Sequence, residues 1–266
     1  MKTKYIKSAI AAFASVIFAG CAHYDNELVP KVEVSDITII DNSFTSINKA
    51  IMWGRSLYMN IRRFIIFQMT INVCACLVVL LGAVMGLDSP LNVTQMLWVN
   101  LIMDTFAAGA LASLPPNPRV MDNKPRSTNE SIIPRHMANW IFITGGAFFV
   151  VLITMLCFYY YFSVENGHIA LSTHHLHILS DHEQSLFFTT FVLMQWWNLF
   201  NARAFQTGKM GFEGLRECPA FLGVSVAILV GQWLIVEFGG TMFNVEPLSM
   251  REWIHLLLLT SPVFFV

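Results

Sequence analysis

MLWVNLIMD, Met96 to Asp104, places a carboxylate inside an apolar run that ends only at Pro115 and Pro116. The apolar residues on either side of Asp104 predict a membrane-spanning helix. A charge at the centre of such a helix costs roughly 3 kcal/mol or more, so an intramembrane carboxylate marks function by default. Residues four apart share one side of an α-helix, which predicts that Asn100 and Asp104 present their oxygens together. No lysine or arginine lies in any of the predicted spans to neutralise Asp104.

The composition around this stretch belongs to a polytopic membrane protein: 55% hydrophobic residues against 12% charged, with a mean hydropathy of +0.57. A net charge of −1 gives no sign of a nucleic-acid partner. Cys21, Cys74, Cys76, Cys157 and Cys218 have neither disulfide-framework nor zinc spacing. Cys74 and Cys76, two apart on a helix, face different ways and read as small apolar packing residues.

Six apolar segments predict an all-α bundle of six transmembrane helices. They run at about Phe64 to Met85, Val93 to Leu114, Trp140 to Phe162, Leu186 to Asn201, Ala220 to Phe238 and Trp253 to Val266. An open structure of any other kind leaves backbone groups unpaired in lipid. Lys49, Arg55, Arg62 and Arg63 precede the first span on a basic amphipathic helix that follows a β-branched run at Ile37 to Ile40. The loop from Pro115 to Asn139 carries Arg119, Lys124, Arg126 and Arg135, and the loop after Asn201 carries Arg203, Lys209 and Arg216. The intervening loop holds Glu165, Asp181 and Glu183. Basic loops alternating with acidic ones put the edge before Phe64 and both basic loops in the cytoplasm. Glu237, near a span end, is expected to snorkel to the interface.

The amino terminus has a different character. Lys2, Lys4 and Lys7 precede an apolar run from about Ala9 to Ala19, and FAGC ends at Cys21. This resembles a bacterial lipoprotein signal with Cys21 as the lipidated residue, followed by a polar tether. Processing there puts the following residues outside, opposite to the orientation the loop charges give. The reading that reconciles the two is a lipoprotein-like leader joined to an internal piece of another membrane protein. An exported form requires Arg55, Arg62 and Arg63 on the wrong side.

From about Val34 onward the chain resembles the C-terminal part of P-type cation-transporting ATPases, closest to calcium pumps of the plasma-membrane type. The resemblance is carried by SDITIIDNSFTSI, KAIMWGR, QMTINV, DSPLNVTQMLWVNLIMDT, LPPNP, MDNKPR and MQWWNLFNAR. It implies that the six spans are the last six of the family's ten helices. The implied organisation is a lipoprotein-like signal over 1–21, a tether over 22–33, the end of the phosphorylation domain with a stalk helix over 34–63, and the membrane domain over 64–266. It also implies that Asn100 and Asp104 are cation ligands, with Met103 where some relatives carry a hydroxyl, and that Asn72 is a ligand from the preceding helix. An amide oxygen and a carboxylate suit a hard cation, Ca2+ or Mn2+. Pumps carrying two calcium ions have a further carboxylate where this chain has Ala75 and another where it has Gln195, so the resemblance implies a single calcium site with Gln195 as a contributor. Read on their residues alone, Asn72, Gln195 and Asn198 join helices by hydrogen bonds.

The 266 residues contain no DKTGT phosphorylation motif, TGE loop or PEGL segment. ATP-driven transport needs an aspartyl-phosphate and its coupling machinery, so ATP and Mg2+ belong to the parent pump and this chain is expected to be inactive alone. The expected setting is the bilayer of a bacterial inner membrane, with Ca2+ as transported ion and the remaining pump domains as partners. Two alternatives stand: a regulatory or decoy subunit of a full-length pump, and a lipid-anchored envelope protein. His174, His175 and His177, with His168 and His182 nearby, form a weak candidate for Zn2+ or Cu2+ in the acidic loop, at no fixed metal spacing.

Overall fold

The computed structural model describes residues 43–85, 90–122, 124, 131–165, 168–171, 179–206 and 211–265. The lipoprotein-like signal with Cys21, the tether, the run at Ile37 to Ile40 and His174, His175 and His177 lie outside the described residues.

The first element, α1, runs unbroken from Phe44 to Met85. The basic amphipathic stretch and the first apolar span are therefore one helix, since no proline or glycine pair interrupts them. The next helix is broken in character: α2, Val93–Leu97, passes through a π-helical stretch over Trp98–Met103 into α3, Asp104–Ala112. Then come α4, Arg135–Tyr161, α5, Asp181–Ala204, and α6, Pro219–Phe238. A single turn, α7, covers Gly240–Phe243, and α8, Met250–Thr260, ends in a 3-10 turn over Ser261–Phe265. Helix starts follow their capping chemistry. Ser180 Oγ accepts from the Glu183 N–H while Glu183 reaches back to the Ser180 N–H, and Ser249 with Glu252 repeats the device on α8.

Within an all-α bundle, one short hairpin departs from the expected plain loop. Strand β1, Phe162–Glu165, pairs antiparallel with β2, His168–Leu171, in the register Phe162 with Leu171 and Glu165 with His168.

The centre of the bundle is α5, which packs against α1, α4, α6 and α8, while α1 also packs on α3 and α4, and α3 on α6. One continuous core includes Phe67, Ile71, Met103, Ala107, Phe148, Phe191, Met194 and Ile228. The opposite faces of the peripheral helices are exposed and apolar: Phe142, Ile143, Val150 and Val151 on α4, and Leu222, Val226, Val230 and Trp233 on α6. Apolar faces turned outward suit a lipid solvent. By length and composition, Phe44–Val84, Arg135–Tyr160 and Pro219–Phe238 are long and apolar enough to cross a membrane.

Two polar networks mark the ends of the bundle. At the basic end, Arg55 Nη1 donates to the Val120 carbonyl (3.2 Å), Asn60 Nδ2 to that of Leu114 (3.2 Å) and Arg63 Nε to that of Phe205 (3.4 Å). At the other end, Gln95 Nε2 donates to the Phe243 carbonyl (2.8 Å), and the Glu246 N–H to Ser185 Oγ (2.7 Å). The bonds from Asn60 and Arg63 bring the C-terminal ends of α3 and α5 to one level of α1, so both run antiparallel to it.

Candidate cation site

The π-helical stretch coincides with WVNLIM, directly before Asp104. Hydrogen bonding from i to i+5 widens the turn, and such stretches gather at functional sites. It also changes which residues align. In an α-helix Asp104 stands over Asn100; across a π turn it stands over Val99, while Asn100 aligns with Thr105. Val99 and Asp104 are accordingly buried, and Asn100 and Thr105 are exposed. The expectation that Asn100 and Asp104 share one face is thus corrected: Asp104 enters the bundle and Asn100 remains on its exposed flank.

The π stretch is anchored on α6. Trp98 Nε1 donates to Gln232 Oε1 (3.1 Å), and the indole lies against Gly231, where a Cβ would come within 2.7 Å of the ring. Only glycine leaves room for that approach.

Asp104 is 4% exposed and is the one buried acidic side chain among the described residues. Neither of its carboxylate oxygens has a hydrogen-bond partner there. Gln195 and Asn198 on α5 are fully buried, and neither atom of either amide is hydrogen-bonded among the described residues. The reading of these two as helix–helix hydrogen bonders is therefore corrected. Thr70 on α1 is likewise fully buried with its hydroxyl unpaired. Asn72, two residues further along α1, is half-buried. Ordinary interiors satisfy nearly all such groups, and each unpaired one costs about 1–3 kcal/mol. Such groups recur on α1, α3 and α5, the helices that pack around Asp104.

Their depths agree. Thr70 is ten residues along α1 from Asn60, and Asp104 ten residues back from Leu114, the residue Asn60 holds. Equal rises of about 15 Å bring both to one level. Gln195 stands ten residues back from Phe205, the partner of Arg63, and so reaches the level of Val73, beside Asn72. The structure thus brings Asp104, Gln195 and Asn72 to within about one turn of the same depth and leaves Asn100 outside. Sequence reasoning missed Thr70 and gave Asn198 only a structural part; their common signal was a polar side chain within an apolar run.

Cys74 is buried and Cys76 half-buried, both as free thiols, in keeping with apolar packing. Among the described residues no group of three histidine, cysteine, aspartate or glutamate side chains converges to hold a metal. Among the described residues Asp104 is accompanied by neutral oxygens alone, and a carboxylate with neutral oxygens suits a hard ion.

Helices with apolar outer faces that bury a carboxylate and unpaired amide and hydroxyl groups are those of a membrane protein. The chain belongs to the family described as "Cation transporting ATPase, C-terminus", which matches residues 88–266. It is 40% identical over 228 residues to human plasma membrane calcium-transporting ATPase 4, covering 85% of this chain and 18% of that protein. Identity to plasma membrane calcium-transporting ATPase 2 of Oreochromis mossambicus is 39% over 223 residues, 83% of this chain and 20% of the relative. For plasma membrane calcium-transporting ATPase 1 of mouse it is 40% over 225 residues, 84% and 18%. The chain thus spans about a fifth of the length of the curated relatives it matches, and the resemblance to the C-terminal region of plasma-membrane-type calcium pumps is borne out.

Proposed function

We propose that this chain acts as the C-terminal membrane portion of a P-type calcium pump and supplies part of a single intramembrane Ca2+ site. The observation that carries the reading is Asp104, buried with both carboxylate oxygens unpaired. In lipid that arrangement is tolerable only with a proton or a cation in place. Gln195 and Asn72 lie within a turn of the same depth and supply neutral oxygens. Asn100 joins once a further helix covers its exposed flank; the resemblance implies four family helices that precede Phe64. The six helical passes cross the bilayer six times, with the Arg55–Arg63 end in the cytoplasm. ATP, Mg2+ and the phosphorylated aspartate come from pump domains beyond these residues. An integral location is supported by the lipid-facing helices; a bacterial inner membrane rests on the FAGC leader alone, and the relatives named above are animal proteins.

The test is a chimera in which Phe64 to Val266 replace the matching region of a full-length plasma membrane calcium pump. ATP-driven Ca2+ uptake into vesicles is expected, and its loss in Asp104→Asn. Uptake that survives the substitution contradicts the reading.

A further inference from the structure

The Arg63–Phe205 hydrogen bond fixes how α1 and α5 face each other. Seven residues inward along α1 is Thr70, and seven residues back along the antiparallel α5 is Asn198. Seven residues make two turns of an α-helix, rising about 10 Å and returning to nearly the same face. Thr70 therefore points toward α5 as Arg63 does, and Asn198 lies on α5 at the matching depth, about 10 Å in from the Phe205 carbonyl. Both side chains are fully buried, yet the Thr70 hydroxyl and both atoms of the Asn198 amide lack partners among the described residues. The Asn60–Leu114 bond puts Asp104 at this same level from the third side. On α4, Gly145 lies close enough that a Cβ would sit 3.3 Å from the Thr70 carbonyl oxygen, which leaves the space beside Thr70 closed on that side.

We infer that Thr70 Oγ1 and Asn198 Oδ1 are neutral oxygen ligands that extend the Asp104 cation site between α1 and α5. This rests on the assignment of Asp104 as the calcium carboxylate. A hard cation takes six to eight oxygens, roughly, and one carboxylate cannot satisfy it; hydroxyl and amide oxygens at matching depth add donors without adding charge. A cation bound there engages both oxygens, which the apolar bundle otherwise leaves unsatisfied.

The discriminating readout is affinity set against stability. A buried polar group with a purely structural role and no partner is improved by an apolar isostere, whereas a ligand group loses binding when replaced. The purified 266-residue chain in phospholipid nanodiscs is titrated calorimetrically with Ca2+ alone, and its thermal midpoint measured without Ca2+. Thr70→Val and Asn198→Leu are each expected to weaken Ca2+ binding roughly tenfold while leaving the calcium-free midpoint equal or higher; Thr70→Ser retains affinity. If Asp104→Asn abolishes binding but Thr70→Val and Asn198→Leu stay within about twofold of the unsubstituted affinity, this inference is overturned and the Asp104 assignment stands. If Asp104→Asn binds as well as the unsubstituted chain, both are overturned. No saturable binding by the unsubstituted chain overturns the inference, and Asp104 is then judged by uptake in the chimera.

Discussion

Arg63 Nε donates across 3.4 Å to the carbonyl oxygen of Phe205, while Arg63 Nη1 holds Asn60 Oδ1 at 2.9 Å. One guanidinium thus ties the end of α5 to α1 and braces the asparagine that fixes the end of α3. The depths of Thr70, Asp104 and Asn198 are set from these bonds. Arg63→Leu removes both and leaves Asn60 Oδ1 unpaired in a buried setting, for an expected loss of about 1.5–3 kcal/mol. Thermal denaturation in nanodiscs checks it, with the exposed Lys49→Gln as a control expected within about 0.5 kcal/mol of no change.

The docking of the π stretch depends on Gly231. Gly231→Ala drives a methyl into the Trp98 indole, and because the ring is also held by Gln232 it cannot swing away freely. Overpacking of this kind costs about 1–3 kcal/mol. The companion Gln232→Leu, which frees the indole N–H but leaves room for the ring, is expected to cost less. Equal midpoints for Gly231→Ala and the unsubstituted chain contradict the close approach.

Much of this architecture is legible from residue pattern. The helical segments follow apolar runs, and the break after Met85 and the caps at Ser180 and Ser249 follow local chemistry. Asp104 announces itself as the carboxylate in the middle of an apolar span, where Glu237 stands at a span end. The π turn is not legible, because it is a choice of backbone hydrogen-bond partner that no residue type encodes. That single choice separated Asn100 from Asp104. The common depth of Thr70 and Asn198 was hidden for a related reason: it depends on the relative register of two helices more than a hundred residues apart. The hairpin has a sign in the sequence, since the dipeptide Asn166-Gly167 is among those that favour two-residue hairpin turns.

Six crossings predict opposite exposure of alternate loops. In a chain whose five native cysteines are replaced, cysteines introduced at Arg119 and Arg216 are expected to react with an impermeant maleimide from one side of sealed vesicles. A cysteine at His174 is expected to react only from the other. Labelling of all three from one side contradicts the alternation.

In the first turn of α8, just before the span predicted from Trp253, the Glu252 carboxyl is held below its usual range. Partial burial works against this, but hydrogen bonds from the Ser249 side chain and backbone, and His182 at 2.9 Å, prevail. A lowered carboxylate pKa stabilises the fold above the ordinary glutamate range, and that contribution is lost as pH falls through the folded-state value. The thermal midpoint is therefore expected to decline on acidification below about pH 4.5, with a shallower decline in Glu252→Gln. An unchanged acid limb in that variant contradicts the assignment.

Asp104, in the proposed function, carries the calcium ion through the membrane. In the chimera holding Phe64 to Val266 within a full-length plasma membrane calcium pump, the decisive measurement is calcium-dependent phosphorylation by ATP in Asp104→Asn against the parent chimera. The account predicts phosphoenzyme in the parent that rises with Ca2+ and none that responds to Ca2+ in Asp104→Asn, with the variant present in the membrane at normal abundance. Phosphoenzyme with unchanged calcium dependence in Asp104→Asn would contradict it.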